Sequence, residues 1–370
     1  MTDLAQAALA LASDLVRMDS RSFVSNIPIA DRIEAELRGF EIERLDYLDE
    51  AGTPKRALVA RRGPPGGLAF SGHMDTVPDT GWVEDPWSGK VADGLLYGLG
   101  SADMKGQTAA AIVAARALPD HVPAILLLTT DEETTKGGAR AIAERSELAR
   151  GTDAILVVEP TSMVPMRGHR AHVQFTATAT GVQAHSSTGR GRNANWDLVP
   201  FLTAMRKIHE RLHRDPALQD PAYDPVFSDF NLIIDNHGTA VNVSVPRATA
   251  TIKFRYSASV DPAFVVDGVR AAARRFGLAL AESWEGRPPE LAPDHPFVRL
   301  CSEATGETAG VAPYGTDAAE LQAIAPCVLL GPGSIAVAHR PNEALAVCEI
   351  ENALPVFMRL AEQVAEGRLR

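Results

Sequence analysis

Cysteine, clustered positive charge and long apolar runs are all scarce in this sequence, and each scarcity removes a class of function. The three cysteines (Cys301, Cys327, Cys348) are an odd number, confined to the C-terminal part and without a short CxxC spacing. That usage fits reduced, mostly buried thiols in a cytoplasmic protein, and predicts neither a disulfide framework nor a cysteine-ligated zinc site. No run of lysine and arginine is longer than a pair and the net charge is −11, so the basic footprint of a nucleic-acid partner is missing. No apolar stretch reaches the roughly 18 residues of a membrane span, so no membrane partner is expected. The segment Met1-Thr2-Asp3-Leu4-Ala5 has no basic residues ahead of its apolar stretch, and Asp14 falls inside that stretch. It reads as an amphipathic helix and not as a signal peptide. Internal repeats and low-complexity segments are absent.

What is present is an ordinary globular composition, 45% hydrophobic and 22% charged, over 370 residues, enough for two domains. In the first half, apolar strands alternate with helices. Ala57–Ala60, Leu68–Ser71, Ala124–Thr129 and Ala154–Val158 read as strands, Met104–Leu118 and Gly138–Leu148 as helices. Apolar strands without alternation, separated by helices, predict an α/β fold: a mostly parallel central sheet with helices on both faces. After Met166 the pattern changes. Val173, Phe175, Ala177 and Ala179 alternate with polar residues, as do Ala248, Ala250, Ile252 and Phe254, which predicts antiparallel strands with one solvated face. Helices are expected over Asn193–Arg214 and Pro262–Phe276, with Glu285-Gly286-Arg287-Pro288-Pro289 as the return linker. The strand Cys327–Leu330 and a helix over Ile350–Ala365 resume the first pattern. The expected organisation is therefore a catalytic domain formed by residues 1–167 and 286–370, interrupted by a smaller α+β domain at 168–285.

The chemistry-bearing residues fall just beyond the carboxyl ends of the parallel strands. His73 and Asp75 follow the strand ending at Ser71, Asp131-Glu132-Glu133 follows the apolar run ending at Thr129, and Glu159 follows Val158. His339 lies in the loop after Leu330, and Asp103 opens a helix after the turn Gly98-Leu99-Gly100. In an open parallel sheet these loops share one edge, where ligands bind. Close carboxylates cannot all stay ionised without compensation, and no lysine- or arginine-rich element is evident, so a divalent cation is implied. Imidazoles with carboxylates and no thiolate suit zinc, cobalt or manganese. Each residue alone has a plainer reading: His73 as a structural histidine, Asp131-Glu132-Glu133 as a solvated helix start, Asp103 as an N-cap, Glu159 as a loop acid. Five such coincidences at one sheet edge favour the metal.

Taken in order, His73-Met74-Asp75-Thr76-Val77-Pro78, Gly98-x-Gly100-Ser101-Ala102-Asp103-Met104-Lys105-Gly106, Thr130-Asp131-Glu132-Glu133 and Glu159-Pro160-Thr161 resemble the M20 metallopeptidases. The segments Gly331-Pro332-Gly333-Ser334-Ile335 and Ala338-His339-x-Pro341-Asn342-Glu343 resemble most the acetylornithine deacetylase and succinyl-diaminopimelate desuccinylase branch. Gly181-x-x-Ala184-His185-Ser186-Ser187 and Asn242-Val243-x-Val245-Pro246 resemble that family's lid motifs.

The resemblance implies two divalent ions, zinc in first place, with Asp103 bridging them. His73 and Glu159 would complete one site, Glu133 and His339 the other, and the bond Asp103–Met104 would be cis. Asp75 would hydrogen-bond the far nitrogen of His73, and Glu132 would be the general base for a metal-bridging hydroxide. His185 would stabilise the oxyanion, supplied in dimeric relatives by the neighbouring subunit, so a homodimer through the lid domain is implied. Arg255 and Asn242 are the candidates for gripping the substrate's α-carboxylate, an arginine fork being suited to it, or Arg255 is a strand-end surface cation. Gly315, Thr316 and Asp317 are candidate further contacts. The implied reaction is deacylation of a small N-acyl amino acid such as N-acetylornithine. Dipeptidase, carboxypeptidase, desuccinylase and carrier-linked lysine hydrolase activities of the same family are the alternatives, and a non-catalytic metal-binding member is a more distant one.

Overall fold

The unbroken apolar runs form the centre of an eight-stranded sheet in a computed structural model that describes residues 1–369. Its strand order is Glu41–Leu48, Pro54–Arg62, Ala124–Thr129, Leu68–His73, Ala154–Val157, Cys327–Leu329, Met166–His169, Gly310–Ala312. The strands from Ala124–Thr129 to Cys327–Leu329 are mutually parallel. Residues of both parities are buried in Leu68–His73 and Ala124–Thr129, as expected for strands covered on both faces. One flank of this mostly parallel sheet is antiparallel. Pro54–Arg62 pairs antiparallel with both neighbours, because a short turn joins it to Glu41–Leu48, a strand that the sequence did not reveal. Glu41–Leu48 is an edge strand, mostly exposed or half-buried, and carries little apolar signal.

Around this sheet, Asp3–Val16, Gly106–Ala117 and Val347–Ala365 pack on one another. Thr2 caps the first of these helices, its hydroxyl accepting the Ala5 N–H at 3.2 Å. Phe70 on the sheet meets Phe357 on the last helix, ring centroids 5.6 Å apart. Gly137–Arg145 packs on Pro54–Arg62 and on the short helix Ala318–Leu321. All three cysteines are free, Cys301 and Cys327 buried and Cys348 exposed. Among the described residues no helix is long and apolar enough to cross a membrane.

Contacts divide the chain into two units. The larger comprises Met1–Gly168, Pro289–Val311 and the chain from Thr316 onward; the smaller comprises His169–Pro288 with Ala312–Gly315. The smaller unit is a four-stranded antiparallel sheet in the order Asp229–Asp235, Arg247–Tyr256, Ala171–Thr180, Ala279–Trp284. Strict alternation in Ala171–Thr180 buries Val173, Phe175, Ala177 and Ala179, which share a core with residues of the helices Asn195–Arg214 and Ala263–Phe276. The edge strand Asp229–Asp235 leaves Leu232, Ile233 and Ile234 exposed.

Candidate active site

The parallel strands of the larger unit end on a group of acids and histidines, and local backbone shape decides which of them meet. Gly100 turns the chain at φ 79°, where a Cβ would stand 2.5 Å from Thr76 Cγ2. The following segment Ser101–Lys105 is irregular: Asp103 (φ −147°, ψ 91°) and Met104 (φ −136°, ψ 35°) are not helical, and the Asp103–Met104 bond is cis. The helix begins only at Gly106. Asp103 therefore neither opens that helix nor caps it.

The Asp103 carboxylate instead divides its two oxygens between two histidines. Oδ1 lies 3.2 Å from Nε2 of His73 and Oδ2 lies 3.2 Å from Nε2 of His339. His339 Nε2 is also 3.0 Å from Glu133 Oε1. His73, Asp103 and Glu133 offer ligand atoms within 4.8 Å of one another. Glu159 is buried beside them, close enough for the charges of Asp103 and Glu132 to act on it. His73 Nδ1 donates to the main-chain carbonyl of Asp75 at 2.9 Å, an atom that can only accept. That bond fixes the tautomer and turns Nε2 inward. The Asp75 carboxylate stands 3.6 Å from Nδ1. Asp75 accepts instead from the backbone N–H of Glu132 (3.2 Å) and Glu133 (3.3 Å) and from Ser22 Oγ (2.7 Å), so it aligns the acid pair.

The segment Asp131–Glu133 is not a helix start. Asp131 has φ 62°, its carbonyl accepts the N–H of Thr134, Thr135 and Lys136, and the next helix begins at Gly137. Two buried lysines that sequence reasoning missed stand behind this turn. Lys55 Nζ lies 2.8 Å from Asp131 Oδ1, and Lys136 Nζ donates to Glu132 Oε1 at 2.5 Å. Isolated lysines distant from, or only four residues beyond, the acids gave no basic run to notice. Their presence removes Asp131 and Glu132 from the count of uncompensated acids.

The remaining groups still point to cations. Burial pushes the Glu133 carboxyl up to about 7, with Asp103 and Glu132 adding to it against the His339 hydrogen bond. Burial, then the charges of Asp103 and Glu132, holds Glu159 well above the carboxylate range. Burial would raise Asp103 too, but the hydrogen bonds from His339 and His73 prevail and lower it. His339 is driven up to about 11 by Asp103 and Glu133. Burial opposes charge on His73, yet Asp103 and Asp75 hold it protonated. Protons thus stand where positive charge is wanted, and an imidazole–carboxylate donor set without thiolate fits divalent ions of the zinc, cobalt or manganese kind.

The other predicted residues divide between the two units. In the smaller unit, His185 is exposed and its segment joins that of Asn242, whose carbonyl accepts the Ser186 N–H at 2.9 Å. Asn242 is exposed. Arg255 is bound to Asp229 on the neighbouring strand at 2.5 Å. Gly315 belongs with the smaller unit, where a Cβ would stand 2.6 Å from Glu285 Oε1. Thr316 and Asp317 are buried in the larger unit, where the Asp317 carboxylate accepts the Thr129 hydroxyl. Burial, with the Glu132 charge, pushes Asp317 up to about 7.

A parallel sheet whose carboxyl edge gathers two histidines and several carboxylates suits a metal-dependent hydrolase. The chain belongs to peptidase family M20/M25/M40, whose sequence profile matches residues 69–363. It is 32% identical over 340 residues to an acetylornithine deacetylase of Aliivibrio salmonicida (strain LFI1238), covering 87% of each chain. Among solved structures, the dipeptidase Dug1p of Saccharomyces cerevisiae superposes with a TM-score of 0.74 at 14% identity, with 98% of each chain covered. The Bacillus subtilis protein YXEP, described as a dinuclear metal-binding peptidase of the M20 family, gives 0.65 at 18% identity, covering 98% of this chain and 99% of that one.

Proposed function

We propose that this protein removes the acyl group from a small N-acyl amino acid of the N-acetylornithine type, using two divalent ions, zinc in first place. The observation that carries the reading is the divided carboxylate of Asp103, one oxygen toward His73 and one toward His339. In this reading Asp103 would be shared by the two metal sites, with His73 and Glu159 holding one ion and Glu133 and His339 the other. Two such ions supply Lewis acidity, polarising the amide carbonyl and making a water acidic enough to lose a proton near neutral pH. Glu132 takes that proton and delivers it to the departing amine. Asp75 orients the turn from which Glu132 and Glu133 project.

His185 is the proposed donor to the oxyanion. The Ser187 N–H, which can only donate, points at His185 Nδ1 at 3.3 Å, so the ring proton sits on Nε2, ready to donate outward. Asn242, Arg255, Gly315 and Thr316 are the proposed holders of the α-carboxylate end. A homodimer through the smaller unit accompanies this reading. Its support is the edge strand Asp229–Asp235, which presents unpaired backbone groups together with exposed Leu232, Ile233 and Ile234. The relative from Aliivibrio salmonicida, called an acetylornithine deacetylase, supports the acyl preference.

The test is amine release from N-acetyl, N-succinyl and dipeptide substrates, with chelated and zinc-reconstituted protein side by side. Metal-dependent release from an N-acetyl amino acid is expected. Release confined to succinyl or dipeptide substrates would replace the deacetylase reading with another activity, and none at all with metal bound would remove the enzymatic one.

A further inference from the structure

Glu343 is buried at 2% exposure, yet neither the metal nor the substrate roles above use it. Its carboxylate Oε1 accepts the backbone N–H of Ala102 at 2.7 Å and of Asp103 at 3.0 Å. Its own carbonyl accepts the N–H of Gly98 at 3.1 Å. Immediately beyond it, Ala344 pairs with Tyr97 in the small antiparallel sheet formed by Ala344–Ala346, Leu95–Tyr97 and Lys90–Ala92. The loop carrying His339 is thereby laced to the turn carrying Asp103 at both of that turn's ends. Strand pairing alone brings the two segments together, but it stops at Tyr97, and Asp103 lies six positions further on. Across that remainder, Glu343 Oε1 accepts both the Ala102 and the Asp103 amide, and these short, directional bonds fix the backbone between them.

The pair so fixed matters because Asp103 Oδ2 stands 3.2 Å from His339 Nε2. A side chain filling this space for packing alone has no need of a carboxylate, whose burial is costly without partners. We propose that Glu343 is a positioning residue for the metal centre: by gripping the Ala102 and Asp103 amides it sets the Asp103–His339 spacing, and with it the affinity of the site for a divalent ion. The inference rests on the reading of Asp103 and His339 as ligands.

The experiment measures Zn²⁺ affinity by competition with a chromophoric chelator, and the visible spectrum of the Co²⁺-loaded protein, for full-length variants. Glu343→Leu is expected to weaken Zn²⁺ binding on the order of 10–100-fold, as loss of a partner behind a ligand does, and to alter the Co²⁺ spectrum. Glu343→Gln keeps an acceptor oxygen for both amides and is expected to restore most of the affinity. Glu343→Asp, with the carboxylate drawn back by one methylene, carries the test if the leucine variant does not fold, and should weaken binding in the same direction. Wild-type affinity and spectrum in a folded Leu or Asp variant would overturn the proposal, as would a Gln variant as weak as the Leu one. Asp103→Asn separates the premises: if it binds Zn²⁺ as the wild type does, the ligand reading fails and not the positioning alone.

Discussion

Lys136 donates to Oε1 of Glu132 at 2.5 Å and to the Glu132 carbonyl at 3.2 Å, both residues being buried. The acid beside Glu133 is thus held by an ammonium group. Glu132→Gln should keep a full complement of metal and lose at least ~10²-fold in turnover, the usual size of a general-base contribution. Metal content by atomic emission, beside the rate, checks this. Loss of metal would reassign Glu132 as a ligand.

Metal binding should release protons at neutral pH. In the metal-free protein His339 is raised to about 11 and His73 is held protonated, so at pH 7 both carry a proton on the nitrogen that would bind metal in the proposed centre. Glu133, pushed up to about 7, gives up a further fraction. Affinity should therefore rise with pH as these protons become easier to displace. Calorimetric titration of metal at pH 7, in two buffers of different ionisation enthalpy, reads the proton count as a difference in heat. Identical heats would show that no proton is displaced.

Shared active sites should be detectable by mixing. If His185 serves the metal centre of a second copy, an inactive Glu132→Ala chain and an inactive His185→Ala chain each keep what the other lacks. Unfolding-free exchange of the two should yield hybrid dimers and restore part of the activity. The exposed edge of Asp229–Asp235 is the expected joint. A mixture that stays inactive, with subunit exchange demonstrated by mass, would place His185 in its own chain's chemistry or outside it.

The parallel centre of the sheet was legible because buried strands such as Ala124–Thr129 are continuous apolar runs, and the smaller unit because Ala171–Thr180 alternates. Glu41–Leu48 was not, since an exposed edge strand needs no apolar period. The candidate ligand residues could be placed at one edge because strand ends converge there. Three kinds of information stayed hidden. Main-chain partners such as the Asp75 carbonyl leave no mark in residue type. Ion pairs made across the fold, such as Lys55 with Asp131, connect positions that no local pattern relates. The backbone of Ser101–Lys105 departs from the helix read from Met104 onward, and there Glu343 accepts the amides of Ala102 and Asp103, a long-range contact that no local pattern announces.

The pair Lys55–Asp131 offers a stability test of how the acid-bearing turn is held. Lys55 is wholly buried on the strand Pro54–Arg62, with its ammonium 2.8 Å from Asp131 Oδ1 and 2.9 Å from the Val24 carbonyl. Tyr47 donates to the other Asp131 oxygen at 2.7 Å. Asp131 in turn occupies the left-handed region at φ 62°, and its carbonyl closes the turn that presents Glu132 and Glu133. Removing the cation alone strands a buried carboxylate, so Lys55→Met should cost about 3–5 kcal/mol in unfolding free energy. Replacing both partners removes the stranded charge as well, so Lys55→Met with Asp131→Asn, a residue that tolerates the left-handed region, should recover part of that loss. Denaturant titration of the metal-free proteins measures both. A single variant within about 1 kcal/mol of the wild type would show that the pair behaves like an exposed one, and that the turn is held by Asp75 and its own backbone bonds instead.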